Sequence, residues 1–196
     1  MKQARVLTPA EIKRLLKVVS TTKHAARNRL VVMLSYLAGL RACEIASLRV
    51  GDVITQLAAG TWEVKSEIVL KSHQTKGRKA QTVVLPTSLM KENGDYYKLI
   101  RLDLDLADSL ISSQKQGRFS SQTIQNLFRE LYRAAGIDNA SSHSGRRTFI
   151  TTLSERGVSV RVIQALARHS SLSTTQRYID VSVDKLRNAV EGLVIF

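Results

Sequence analysis

A chain of 196 residues is enough for one domain of ordinary size, and 43% hydrophobic residues are enough to give it a core. Thirty Lys and Arg against 16 Asp and Glu leave a formal net charge of +14, and a folded domain this basic meets nucleic acid or an anionic membrane surface. The cations are mostly Arg, which favours phosphate, because a guanidinium fork holds two oxygens at once.

The N-terminus, "MKQARVLTPAEIKRLL", has no apolar core of a signal peptide, and the longest apolar run, from Leu30, falls far short of a membrane span. Cys43 is the one cysteine and has no zinc-type partners in the sequence, so a reduced, cytoplasmic setting is expected, with Cys43 as a small core residue.

In chain order, Thr8-Pro9-Ala10-Glu11 is a helix-start signal, with Thr8 as N-cap, Pro9 at the first position and Glu11 closing the box. Helical apolar spacing continues from Ala25 to Ala38 and stops at Gly39, and "RACEIASL" predicts a short helix. From Thr61 to Leu85 the texture turns to Trp, Val, Ile and Thr, in "TWEVKSEIVL" and "AQTVVL" around a basic turn "SHQTKGRK". One small antiparallel sheet is expected there. Helical patterns return at Thr87 to Ile100, Ser121 to Ala135, Ser144 to Arg156, Ser159 to Ala167 and Ser173 to Ile179. Beyond them Val183, Leu186, Val190 and Leu193 lie at helical spacing in a tail helix over 181–196. With no internal repeat and no Pro/Gly-rich linker, the expectation is a single domain over 1–196, mainly α with a small antiparallel β-sheet (α+β).

Several stretches carry chemistry, each with a bland alternative. In "RHSSLSTTQRYID", His169 and Tyr178 are nine residues apart, which on one helix would point them to opposite faces. Ser173 to Gln176 has the form of a capping box, so a helix starting at Ser173 would carry Tyr178 in its second turn, with His169 before the turn. A folded-back turn would then bring the two rings towards one pocket; the bland alternative is a capped surface helix with an ordinary tyrosine. A phenol attacks phosphate only where cations surround the phosphoryl group and a donor meets the leaving oxygen. His143 and Arg146 share a face at a helix start, although His-x-x-Arg arises easily by chance in so basic a chain. Arg41 with Glu44 is either a surface pair or an arginine steadied by a carboxylate, and Lys76 beside Gly77 is either a solvated turn lysine or a site residue.

Taken together and in this order, the segments resemble the catalytic domain of the tyrosine recombinases, the phage-integrase family. "GLRACEIASL" is similar to that family's first arginine box and "TKGRKAQTVVLP" to its hairpin lysine segment. "HSGRRTFI" is similar to its His-x-x-Arg box and "LARHSSLSTTQRYI" to its closing histidine–tyrosine segment, and the resemblance runs from about Leu7 to Val194.

It implies that Tyr178 is the nucleophile, that Arg41 and Arg146 clamp the non-bridging phosphate oxygens, and that Lys76 protonates the leaving 5′-oxygen. His143 would handle the tyrosine proton, His169 would hydrogen-bond the phosphate, and Glu44 matches a supporting acidic position. Arg78, Lys79, Arg147 and Arg168 are candidate DNA contacts. The implied partner is double-stranded DNA, held by four protomers when active, with a monomer in solution and a second DNA-binding factor as further expectations and no membrane. No cofactor or metal is implied, because the phosphotyrosyl bond stores the phosphodiester energy.

The chain departs from the family pattern in three places. Gly145 stands where a bulky apolar residue is usual, which predicts looser packing under the box. Ala167 and Arg168 precede His169 where a leucine-like residue and glycine are usual. With Met1 almost at the first helix of the domain the chain resembles, the family's N-terminal clamp domain is expected to be absent, so the chain reads as a fragment or a minimal member. Rival functions on the same fold are a type IB topoisomerase-like relaxing enzyme and a non-catalytic DNA-binding regulator.

Overall fold

The computed structural model describes residues 4–57, 60–75, 77–100, 105–113, 117–178, 187, 190 and 191. They form a mainly helical architecture with two small antiparallel sheets, in two compact units, Met1–Phe149 and Ile150–Phe196. Among the described residues no helix is long and apolar enough to cross a membrane.

In the first unit α1 (Pro9–Ser20) begins as its sequence predicts. Thr8 Oγ1 accepts from the Glu11 backbone N–H, and the Glu11 carboxylate accepts in return from Thr8 N–H. Helix α2 (Ala25–Leu37) is central, with Leu30, Val31 and Leu34 fully buried. It ends in a left-handed Gly39 (φ +59°), which lets Leu40 N–H reach back to the Leu34 carbonyl, a helix stop that glycine makes without strain. Two short helices follow, α3 (Ala42–Ser47) and α4 (Val50–Val53), and after the strands come α5 (Thr87–Ile100) and α6 (Ser121–Ala134). Their buried faces, with Ile45, Leu89 and Phe128, close one hydrophobic core.

The expected single sheet is two. Strand β1 (Ile54–Gln56) pairs with β2 (Trp62–Val64), and β3 (Glu67–Leu70) pairs with β4 (Gln81–Val84), both antiparallel. "TWEVKSEIVL" therefore breaks at Lys65 and Ser66. Lys65 N–H goes to the Val53 carbonyl, while the Ser66 carbonyl accepts from Leu85 N–H, so the two halves satisfy their backbones in different hairpins. Strand β1 and helix α4 are three and four residues long, too short to show a period.

Helix α7 (Ser144–Glu155) spans the boundary between the units. In the second unit α8 (Val160–Ala167) is followed by α9 (Leu172–Gln176), and the two pack on each other. The N-cap of α9 is Ser171, not Ser173, and the Ser171 hydroxyl bonds the Ser173 hydroxyl instead of a backbone donor. Tyr178 consequently lies just beyond the helix, in a turn closed by its N–H on the Thr175 carbonyl.

Candidate active site

Arg41 is the N-cap of α3, placed there by the Gly39 turn. Its guanidinium is held from beneath by Glu44, whose side chain is fully buried. Glu44 Oε2 accepts from the Arg41 backbone N–H at 2.9 Å and Oε1 from Arg41 Nη1 at 2.6 Å. Of the two alternatives open for this pair, the structure shows the steadied arginine rather than a surface pair.

Arg146, on the first turn of α7, is 5% exposed, and its Nη1 donates to the Gly39 carbonyl, two residues before Arg41. A buried arginine on a backbone carbonyl and a second one on a buried carboxylate thus meet at one loop. His143 is exposed one turn earlier on the same side of α7, with its carbonyl accepting from Arg147 N–H.

The start of α7 is held from several directions. Ser144 Oγ accepts from Ser141 N–H, and Leu7 N–H donates to Thr148 Oγ1, which in turn bonds the Ser144 carbonyl. Tyr132 of α6 is buried, which pushes its phenol well above the ordinary tyrosine range, opposed by a hydrogen bond from the Gly145 backbone. Looser packing at Gly145 is not what the structure shows. A Cβ built there would lie 2.5 Å from Ser35 Oγ, so the glycine marks a close helix crossing.

The β3–β4 connection is anchored by Gln74, buried in a short 3-10 turn (Ser72–Gln74). Its amide donates to the Ser47 carbonyl at the end of α3 and to Asp52. Thr75 Oγ1 closes the turn on the Lys79 carbonyl, and Arg78 adopts a left-handed backbone with φ +49°. Lys76 itself lies outside the described residues. Arg78 and Lys79 are exposed and Arg147 half-buried. Between α3, this turn and the start of α6 lies an open cleft of about 610 Å³, lined by Cys43, Ser47, His73, Thr75, Arg118 and Ser120 among others. Cys43, expected in the core, is half-buried on that cleft.

In the second unit Arg168 caps α8 in a left-handed conformation (φ +56°, ψ +45°), where it is 7% exposed and donates from Nη1 to the Leu166 carbonyl. This reversal turns the chain so that His169 faces α9. His169 Nδ1 bonds Thr175 Oγ1 at 2.9 Å, and the His169 and Tyr178 rings stack, with centroids 5.8 Å apart and planes 22° from parallel. Thr175 is fully buried and was not singled out in the sequence; six residues after His169, it carries no spacing signal across a turn. Of the tail stripe, Val183, Leu186 and Leu193 lie outside the described residues, while Val190 is helical and exposed.

The chain is a mainly helical protein with two small antiparallel sheets, an arginine pair at one loop and a stacked histidine–tyrosine pair, and the comparisons with known proteins place it in one family. The model of the phage integrase family matches residues 5–185, and the chain belongs to that family. It is 34% identical over 187 residues to tyrosine recombinase XerA of Pyrococcus furiosus, covering 94% of this chain and 60% of that protein. It is also 34% identical over 163 residues to tyrosine recombinase XerC of Brucella suis, covering 83% of this chain and 49% of the relative. The chain thus spans less than two thirds of the length of these relatives. A crystal structure of XerA recombinase superimposes with a TM-score of 0.75 at 28% identity, covering 99% of this chain and 68% of that one. The fold is shared as well with the Tn1549 transposon integrase in complex with circular intermediate DNA (TM-score 0.73, 15% identity, covering 99% of this chain and 68% of that one).

Proposed function

We propose that this chain cuts and rejoins DNA as the catalytic part of a tyrosine-type site-specific recombinase. Tyr178 Oη attacks the scissile phosphorus, forms a 3′-phosphotyrosyl bond and releases a 5′-hydroxyl. His143 takes up the phenol proton, Lys76 supplies the proton to the departing 5′-oxygen, and Arg41 and Arg146 balance the charge that develops on the non-bridging oxygens, with His169 hydrogen-bonding one of them. Glu44 keeps Arg41 aimed. The reverse reaction with a different 5′-hydroxyl exchanges the strands, and atoms and charge balance without a further reactant. Arg78, Lys79 and Arg147 are assigned to the DNA backbone, whereas Arg168, buried with its guanidinium on the Leu166 carbonyl, is assigned to the turn instead. The active assembly is four protomers on duplex DNA in the cytoplasm, with a second DNA-binding factor completing the grip.

The observation that carries this proposal is the stacked pair His169 and Tyr178, because the turn at Arg168 brings two rings nine residues apart in the chain to one side. The family membership and the buried Glu44 under Arg41 support it. The test is to incubate the protein with sheared genomic DNA of its source cells, trap phosphotyrosyl adducts and sequence their ends. Tyr178→Phe should keep DNA binding and lose every adduct, because only the hydroxyl is removed. Adducts in the Phe variant would show that another residue is the nucleophile.

A further inference from the structure

The first unit ties its two arginines together at one helix crossing. Helix α2 runs into the loop that carries Arg41, and Leu40 N–H on the Leu34 carbonyl makes that loop a continuation of the helix end. Helix α7 carries Arg146. The two helices meet at Ser35 and Gly145, each the direct neighbour of one end of this linkage. A Cβ at 145 would sit 2.5 Å from Ser35 Oγ, 3.1 Å from Ser35 Cβ and 3.4 Å from the Ser35 backbone carbon. Four residues further along the chain from each the approach repeats, just beyond the end of α2 on one side: a Cβ at Gly39 would lie 2.7 Å from the Phe149 ring, and the Arg146 guanidinium donates to the Gly39 carbonyl. Ser35 is 0% exposed, and its hydroxyl has no hydrogen-bond partner among the described residues, so the contact is steric rather than a bond.

We infer that the Ser35–Gly145 crossing is the positioning element that sets the spacing of the Arg41 and Arg146 guanidinium groups. Gly145 and Ser35 touch no phosphate; they act through the helices that carry the arginines. An ordinary contact needs at least 3.4 Å where the added methyl would find 2.5 Å. The added methyl must displace the buried Ser35 hydroxyl or, where that hydroxyl has no other space, push α2 and α7 apart by up to nearly an ångström, and a misplacement of that size costs about 10²-fold in rate. Ser35→Ala deletes the obstructing oxygen and leaves Cβ at 3.1 Å, which a shift of a few tenths of an ångström accommodates.

The inference rests on the two arginines being the phosphate clamp. Adduct formation on sheared genomic DNA, DNA affinity and thermal midpoint are measured for the wild type, Gly145→Ala, Ser35→Ala and the double variant, with Phe128→Leu as a core control in α6. The expected result is about 10²-fold slower adduct formation in Gly145→Ala with DNA affinity within threefold. Ser35→Ala alone should match the wild type, and the double variant should recover at least tenfold over Gly145→Ala. Phe128→Leu should lower the midpoint as much without slowing adducts. Gly145→Ala within threefold of wild type, no recovery in the double variant, or a rate loss in Phe128→Leu matching its midpoint loss would overturn the positioning role. A wild type that forms no adducts would instead remove the phosphate-clamp assignment, and the inference with it.

Discussion

Glu44→Gln is the sharpest probe of how the site is held. Glu44 is fully buried, and its two oxygens are each committed: Oε2 to the Arg41 backbone N–H and Oε1 to Arg41 Nη1. Glutamine keeps length and volume but offers a single acceptor oxygen, so one of these donors loses its partner and meets an amide N–H instead. Hydrogen bonds to charged groups contribute about 1.5–3 kcal/mol and neutral ones about 0.5–1.5. Breaking a buried ion pair outright costs about 3–5 kcal/mol. The Arg41 side chain is 22% exposed, so water compensates part of its loss, and about 2 kcal/mol is expected. For a chain of 196 residues that is about 4–8 °C in the thermal midpoint.

Arg41 keeps its charge in this variant, so DNA affinity and its salt slope should hardly change. Its aim is lost, and removing one properly placed donor costs about 10²–10³ in rate. Thermal unfolding, DNA titration across a salt series and single-turnover adduct formation measure the three effects separately. A midpoint within 1 °C of wild type together with an adduct rate within threefold would refute the claim that Glu44 holds Arg41.

Acid stability should reveal the α1 capping box. The carboxyl of Glu11 is held below the ordinary range chiefly by the Thr8 backbone N–H, opposed by desolvation and helped by the Thr8 hydroxyl and the charges of Arg5 and Arg14. A depressed folded-state value stabilises the fold above the unfolded pKa of about 4.3 and stops doing so as pH falls through the folded value. Denaturant titrations of wild type and Glu11→Gln should therefore differ at pH 7, with the difference shrinking as pH falls below the unfolded value and through the lower folded one; a constant difference would count against the box. At residue 168, Gly should be more stable than Ala by about 1 kcal/mol, because both delete the guanidinium but only Gly adopts φ +56° without strain, and equal unfolding midpoints would deny it. Asn93 is fully buried with neither amide atom hydrogen-bonded among the described residues, so Asn93→Leu should stabilise by about 2 kcal/mol. A destabilised Leu variant in chemical denaturation would show that the amide is satisfied.

Local signals in the sequence carried far where the physics is local. Thr8, Pro9 and Glu11 are within one turn of each other, and the box they predict is present atom for atom. Gly39 predicted the end of α2 because a left-handed stop needs a residue without Cβ, and φ there is +59°. Strand boundaries were less legible. A sheet is a contract between distant segments, and nothing within "TWEVKSEIVL" reveals that its first half pairs backwards with Ile54–Gln56 while its second half pairs forwards with Gln81–Val84. The capping pattern at Ser173 had the right composition but the wrong register, because Ser171 has the extended backbone that an N-cap requires.

At the site the limits have the same origin. The nine-residue interval from His169 to Tyr178 excluded a single helix carrying both on one face, and that constraint pointed to a reversal without saying what would supply it. Arg168 supplies it by adopting the left-handed conformation that glycine favours, and a spacing rule contains no term for a residue that accepts such strain. Gly145 misled for a complementary reason. Within its own helix a glycine is a deficit in propensity and in packing, so looseness is the natural expectation. Its value depends on Ser35, distant in the chain, whose Oγ occupies the space a side chain would need. Sequence patterns report what a residue does along its own element, whereas the spacing of two arginines on different elements is decided by how closely those elements approach. A side chain that is missing can therefore position a site as firmly as one that is present.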